Sequence, residues 1–319
     1  MLVNGKWEGN WQIHRSVDSH GNFVRQASTF RNWVTPDGSP GPTGVGGFRA
    51  EPNRYHLYVA LNCPWACRTL IFRKLKKLDD VISVSIAVPA VTEQGYSYGE
   101  YPGSIPDPLY NIRYVHELYT RADPHYTGRA TVPVLWDKAR HTMVNNESSE
   151  IIRMLNSAFD AFGDASVNFY PQELRPEIDA LNERLYTGLN NGVYRAGFAT
   201  TQSAYEEAVT AVFACLDELE QRLADGRSYL LGERVTESDW RAFVTLVRFD
   251  IAYHGLFKCN LRRVIDYPRL STYLKRLYDV PGVAGTVDFH HIKRTYYSIP
   301  RVNPNGIVPI GPDKIFAAA

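Results

Sequence analysis

A cysteine followed directly by proline, at the junction of a strand and a helix, constrains this chain more than any other feature. Arg54-Tyr-His-Leu-Tyr-Val-Ala60 is rich in aromatic and β-branched residues and reads as a strand. Pro64 to about Leu78 reads as a helix, because proline fits a first turn where its missing N–H costs nothing. Leu70, Ile71, Leu75 and Leu78 form its apolar stripe, with Arg73, Lys74, Lys76 and Lys77 expected to face outward. Val81 to Val88 reads as a second strand, which completes a βαβ unit. Cys63 therefore sits where backbone N–H groups are unpaired and the helix dipole is positive. Both favour thiolate over thiol and make the sulfur a nucleophile, and Arg68 adds positive charge nearby. The bland alternative is a cysteine buried as a small hydrophobe; the strand–Cys-Pro–helix context favours the nucleophile.

Two further segments belong to the same chemistry. Val132-Pro-Val-Leu-Trp136 reads as a strand with proline at its entry, paired with His141–Val144 across a short turn. A helix is expected from Glu147 to about Ala158, carrying Ile151, Ile152, Met154 and Leu155. Helix starts bind carboxylates. Ser148 can donate to one and Glu147 can pair with an amino group, and a γ-glutamyl unit carries both groups.

Elsewhere residues 1–53 read as irregular, and the Gly/Pro-rich run from Thr35 to Gly47 is expected to lie over the surface near a functional region. An irregular insertion follows from about Pro89 to Gly128, with at most a short helix near Ile112–Thr120. From about Glu173 the pattern is helical: Pro176–Asn190, Ser203–Asp225 with Ser203-x-x-Glu206 as a capping box, a helix capped by Thr236, and Pro268–Tyr278. The tail from Pro300 to Ala319 reads as an extended arm.

With 319 residues there is room for two domains, placed at 1–165 and 166–319. Lys plus Arg is 35 against 34 Asp plus Glu, a balance that points away from nucleic acid and membrane surfaces. No run approaches the roughly 18 apolar residues of a membrane span. The polar, aromatic start MLVNGKWEGNW does not read as a signal peptide, so a cytoplasmic location is expected. Four cysteines make no disulfide framework, and no second Cys/His cluster gives them zinc-like spacing, so no metal is expected. Cys67, one helical turn beyond Cys63, is either a resolving thiol or ordinary packing. The 20 tyrosines either fill core or line a pocket for a flat organic ligand.

The motifs together resemble the glutathione transferase superfamily, and within it the xi class, the glutathionyl-hydroquinone reductases. The resemblance runs over nearly the whole chain. It rests on Phe30-Arg-Asn-Trp33, Gly41-Pro-Thr-Gly44, Tyr55-His-Leu-Tyr58, Cys63-Pro-Trp-Ala66, Asp123-Pro-His-Tyr126, Val132-Pro-Val-Leu-Trp136 and Asn146-Glu-Ser148. In the helical part it rests on Asn190-Asn-Gly-Val-Tyr194, Ala196-Gly-Phe-Ala199, Leu246-Val-Arg-Phe-Asp250, Phe257-Lys-Cys-Asn260 and Asn303-Pro-Asn-Gly306.

This resemblance implies an α/β thioredoxin-like N-terminal domain, an all-α C-terminal domain, a cis Val132–Pro133 bond that turns backbone toward the sulfur, and a homodimer. It implies glutathione as co-substrate, bound by Tyr96, Arg129, Val132, Glu147 and Ser148. Cys63 would attack the sulfur of a glutathionyl-hydroquinone, expel the hydroquinone and keep glutathione as a mixed disulfide, which a second glutathione resolves. Tyr194, Tyr253 and Tyr296 would hold the hydroquinone oxygens, with Tyr194 and Tyr296 acting in catalysis. The chain departs from the family at Cys67, where His is usual, and at Tyr96, where Trp is usual. A general deglutathionylase, the same reaction with γ-glutamylcysteine or mycothiol, and a thiol-binding module without activity are the alternatives.

Overall fold

The computed structural model describes residues 1–9 and 16–316. They form two compact units. One contains Gln26–Asn168, Gly285–His291 and the N-terminal hairpin; the other contains Phe169–Ala284, Ile292 onward and the stretch ending at Arg25.

The first unit is built on four strands: β3 (Tyr55–Val59), β4 (Ser83–Ile86), β7 (Val134–Asp137) and β8 (Thr142–Asn145). Their order is β4-β3-β7-β8, with β3 parallel to β4 and antiparallel to β7. Helices α1 (Pro64–Leu75) and α3 (Ser148–Ser157) pack against each other beside this sheet. Every residue of β3 is buried, so both faces of the sheet are covered. His56 pays for its burial by hydrogen bonding across to β4, to Ser83 Oγ at 2.7 Å and Ser85 Oγ at 2.9 Å.

Several sequence expectations change here. Helix α1 stops at Leu75, not Leu78, because Lys77 takes a positive φ of 55° and Leu78 N–H turns back to the Arg73 carbonyl at 2.8 Å. Lys76 does not face outward: it is fully buried, with Nζ 2.7 Å from both Asp160 Oδ1 and the Val167 carbonyl. Residues 1–53 include a hairpin, β1 (Leu2–Val3) and β2 (Lys6–Trp7), turned by Asn4 and Gly5 at φ 47° and 74°. Asn-Gly is a strong two-residue hairpin signal. The N-terminal stretch 10–15 lies outside the described residues.

The insertion contains β5 (Val91–Thr92), β6 (Gly95–Tyr96) and α2 (His116–Ala122), the last displaced from the expected 112–120. Asp107 orders the loop before α2, taking Tyr58 OH at 2.8 Å and the N–H groups of Leu109, Tyr110 and Ile112.

The second unit is helical: α4 (Arg175–Leu185), α5 (Gly192–Phe198), α6 (Gln202–Arg222), α7 (Glu237–Arg248), α8 (His254–Leu256) and α9 (Pro268–Tyr278), with α10 (Phe289–Tyr297) entering it at Ile292. The expected helix to Asn190 is α only to Leu185; Tyr186–Asn190 and Phe249–Tyr253 are π-turns. Helix α6 is capped by Thr201, whose hydroxyl accepts Ala204 N–H at 3.3 Å, so the Ser203/Glu206 capping box is incorrect. Thr201 is extended and Ser203 is already helical, which leaves Ser203 no capping role. Thr236 does cap α7, and Asp239 returns the bond to Thr236 N–H at 2.7 Å. The tail has no regular element from 300 to 316, and Phe316 packs on Tyr278 at 4.6 Å. Residues 317–319 lie outside the described residues.

Burial pushes the His56 imidazole down from 6.5 to about 4. Between those values the unfolded chain binds more protons than the folded one. Stability is therefore full above 6.5 and falls as pH drops towards 4, a loss of about 3 kcal/mol for a shift of this size. A His56→Gln protein, able to keep the serine bonds but not to titrate, is expected to show a flatter urea midpoint between about pH 7 and about pH 4.5 than the wild type.

Candidate functional site

Cys63 is the N-cap residue of α1, in extended conformation at φ −74°, ψ 118°. Pro64 forces the helix to begin there, since it supplies no N–H and fixes the helical φ. Cys63 is 7% exposed and its thiol donates to the carbonyl of Val132 at 3.5 Å. The Val132–Pro133 bond is cis and lies just before β7, which begins at Val134. Trp65 and the buried Arg68, stacked at 4.8 Å, lie on the same helix.

Glu147 caps α3. Its carboxylate accepts Ser149 N–H at 3.1 Å, Ser149 Oγ at 2.8 Å and Ser28 Oγ at 3.0 Å. Burial pushes its pKa up, but these hydrogen bonds and the charge of Arg68 outweigh burial and leave it below the usual carboxylate value. It is thus an anion at neutral pH and suits an ammonium partner. Ser148, the first residue of α3, is buried beside it. Asn145 holds the turn, accepting Glu147 N–H at 2.7 Å and donating to Glu150 Oε2 at 2.7 Å, and Glu150 is ion-paired with Arg31.

Tyr96 lies on β6, and its hydroxyl accepts Asn62 Nδ2 at 3.1 Å, next to the cysteine. Arg129 is half-buried; its N–H donates to Gln26 Oε1 at 3.2 Å and its carbonyl accepts Tyr126 OH at 3.2 Å. Tyr119 of α2 was not singled out by sequence, yet its buried hydroxyl bonds both Thr131 and Asn146. Asn62 was likewise missed. Neither carries a motif; only the fold brings them to the site.

In the second unit the three expected tyrosines come together. Tyr194 on α5 and Tyr253 on the π-turn place their hydroxyls 2.6 Å and 2.9 Å from that of Tyr296 on α10. Phe257 packs on all three rings, at 5.3–5.7 Å. Burial, followed by Tyr194 and Tyr253, raises the Tyr296 phenol well above its ordinary value, so it stays protonated and able to donate. Arg25, also unnoticed in the sequence, lies 4.8 Å over the Tyr194 ring and is held by Asn191 Oδ1 at 2.8 Å.

No cysteine forms a disulfide. Cys67 is buried and donates to the Thr286 carbonyl at 3.6 Å. Burial raises Cys215 to about 11 and Cys259 to about 12. Among the described residues there is no His/Cys/Asp/Glu cluster able to hold a metal, and no helix is long and apolar enough to cross a membrane.

Comparison with known proteins gives two family matches: glutathione S-transferase, N-terminal domain, over residues 62–158, and glutathione S-transferase, C-terminal domain, over 202–276. Glutathionyl-hydroquinone reductase YqjG of Escherichia coli (strain K12) is 53% identical over 314 residues, covering 98% of this chain and 95% of that protein. Glutathionyl-hydroquinone reductase PcpF of Sphingobium chlorophenolicum is 50% identical over 98% of this chain and 96% of its own. Among solved structures, glutathione-bound YqjG matches at TM-score 0.90 and 50% identity, covering 98% of this chain and 96% of that one. The xi class transferase from Natrialba magadii matches at TM-score 0.92 and 45% identity, covering 100% and 95%.

Position and burial together predict which cysteine reacts. Raising a thiol from 9.0 to about 11 cuts its thiolate fraction about a hundredfold at neutral pH. Iodoacetamide at neutral pH is expected to label Cys63 first, read by peptide mass spectrometry; comparable labelling of Cys215 or Cys259 would contradict this.

Proposed function

We propose a function from one premise: the chain belongs to the glutathione transferase superfamily, in the xi class of glutathionyl-hydroquinone reductases. It is an enzyme that reduces glutathionyl-hydroquinones to hydroquinones at the expense of glutathione. The observation that carries this reading is the Cys63 thiol held at the start of α1 against the Val132 carbonyl.

In the first half-reaction Cys63 gives up its proton and its thiolate attacks the glutathione sulfur of the conjugate. A sulfur–sulfur bond forms, the carbon–sulfur bond breaks, and the ring carbon leaves with a proton, as hydroquinone. The ring is reduced and sulfur is oxidised. In the second half-reaction a glutathione thiolate attacks the mixed disulfide, which releases glutathione disulfide and returns Cys63 as thiolate.

Residue roles follow the same reading. The Val132 backbone pairs with the cysteinyl part of glutathione, as an added strand would. The Glu147 carboxylate takes the γ-glutamyl ammonium, which its anionic state supports. Ser148 and the start of α3 take the γ-glutamyl carboxylate. Arg129 supplies a further cation, and the Tyr96 ring covers the tripeptide. Tyr194, Tyr253 and Tyr296 hold the hydroquinone oxygens, and Tyr194 or Tyr296 delivers the proton to the leaving carbon; their shared hydrogen bonds support proton movement among them. We assign the first unit, most of residues 1–165 with Gly285–His291, to thiol binding and the second, most of 166–319 with the stretch ending at Arg25, to hydroquinone binding, in a cytoplasmic homodimer.

Two variants test this. Cys63→Ser is expected to abolish turnover of a glutathionyl-hydroquinone, and full activity would overturn the reading. Tyr296→Phe is expected to lower kcat by about a hundredfold, the scale of a lost general acid, while Cys63 alkylation by iodoacetamide continues at the wild-type rate; an unchanged kcat would remove the tyrosines from the mechanism.

A further inference from the structure

One phenol joins the two loops that the proposed thiol site is made of. Tyr119 is fully buried on α2. Its hydroxyl donates to the Thr131 carbonyl at 2.9 Å and accepts Thr131 N–H and Asn146 Nδ2, each at 3.1 Å. A phenol has one donor and two acceptor sites, so its capacity is fully used. Thr131 immediately precedes Val132, and Asn146 immediately precedes Glu147.

The surroundings leave this hydroxyl little freedom. The Tyr119 ring packs on Tyr126 at 5.0 Å and on Phe30 at 5.9 Å. Asn146 is fixed from its other side, its Oδ1 accepting Phe30 N–H at 3.2 Å. Tyr126 in turn donates to the Arg129 carbonyl at 3.2 Å, two residues before Thr131 in the same loop. No backbone hydrogen bond joins Thr131 to Asn146; the Tyr119 hydroxyl bridges them.

We propose that Tyr119 is a specificity-determining positioning residue, whose hydroxyl sets the spacing between the Val132 backbone and the Glu147–Ser148 helix start and so matches the site to thiols bearing a γ-glutamyl group. This rests on the function proposed above. A cysteinyl thiol without that group uses only the Val132 side and is indifferent to the spacing. A γ-glutamyl-cysteinyl thiol must reach both sides at once, and each ångström of misplacement tells against it.

The test compares two substrates in steady-state turnover with free glutathione as the second thiol: a hydroquinone conjugate of glutathione and the corresponding conjugate of cysteinylglycine, which lacks the γ-glutamyl group. Wild-type protein is expected to prefer the glutathione conjugate in kcat/KM. Tyr119→Phe should lose about tenfold on that conjugate, the scale of a hydrogen bond lost between fixed groups, mainly through KM, and stay within about twofold on cysteinylglycine. Asn146→Ala, which cuts the bridge from the α3 side, should give the same pattern and serves if Tyr119→Phe does not fold. Equal losses on both conjugates, or an unchanged preference, would overturn the proposal and leave the proposed function standing. Wild-type protein that turns over neither conjugate would overturn the proposed function itself.

Discussion

The hydrogen bond from the Cys63 thiol to the Val132 carbonyl is the point on which the rest of the first unit converges. Two prolines flank it: Pro64 starts a helix one residue after the cysteine, and Pro133 follows Val132 through a cis bond just before β7. The sheet supplies the rigidity: β3 leads into Cys63 and pairs directly with β7, which follows Pro133. A sulfur at a helix start is activated by unpaired N–H groups, and a sheet-borne carbonyl beside it offers a peptide-like ligand a strand to pair with.

Buried polar groups cluster beside this point at the start of α3. Glu147, Asn145 and Glu150 form one connected set and Asn146 with Tyr119 another, joined through the Ser28 hydroxyl, and an unpaired member would cost more than its bond contributes. The same economy holds the insertion, where Asp107 gathers one hydroxyl and three backbone N–H groups into an otherwise irregular run. In the second unit the three tyrosine hydroxyls share hydrogen bonds, and burial keeps the Tyr296 phenol protonated.

Much of this is written locally in the chain. The βαβ unit, the Pro64 helix start, the Val132-Pro133 entry and the Thr236 cap are signalled by neighbours in sequence, and the structure has them close to where the patterns put them. The tyrosine trio was legible only through family resemblance, because residues 194, 253 and 296 share no local pattern. What sequence hid was decided by distant partners. Lys76 looks like a surface lysine until Asp160 and the Val167 carbonyl meet it in the interior. Tyr119 looks like one tyrosine among many until the chain returns at Thr131 and Asn146. Ser203 matched a capping pattern, yet Thr201 two residues earlier took the extended conformation that a cap needs.

The central claim is that Cys63 accepts glutathione from an aromatic conjugate. Mass spectrometry of the intact protein and its peptides, after one equivalent of glutathionyl-hydroquinone and before any free thiol is added, tests it most directly. The account predicts glutathione on Cys63 as a disulfide and one equivalent of hydroquinone released. Hydroquinone released with no glutathione on Cys63, or with glutathione on Cys67 alone, would contradict it.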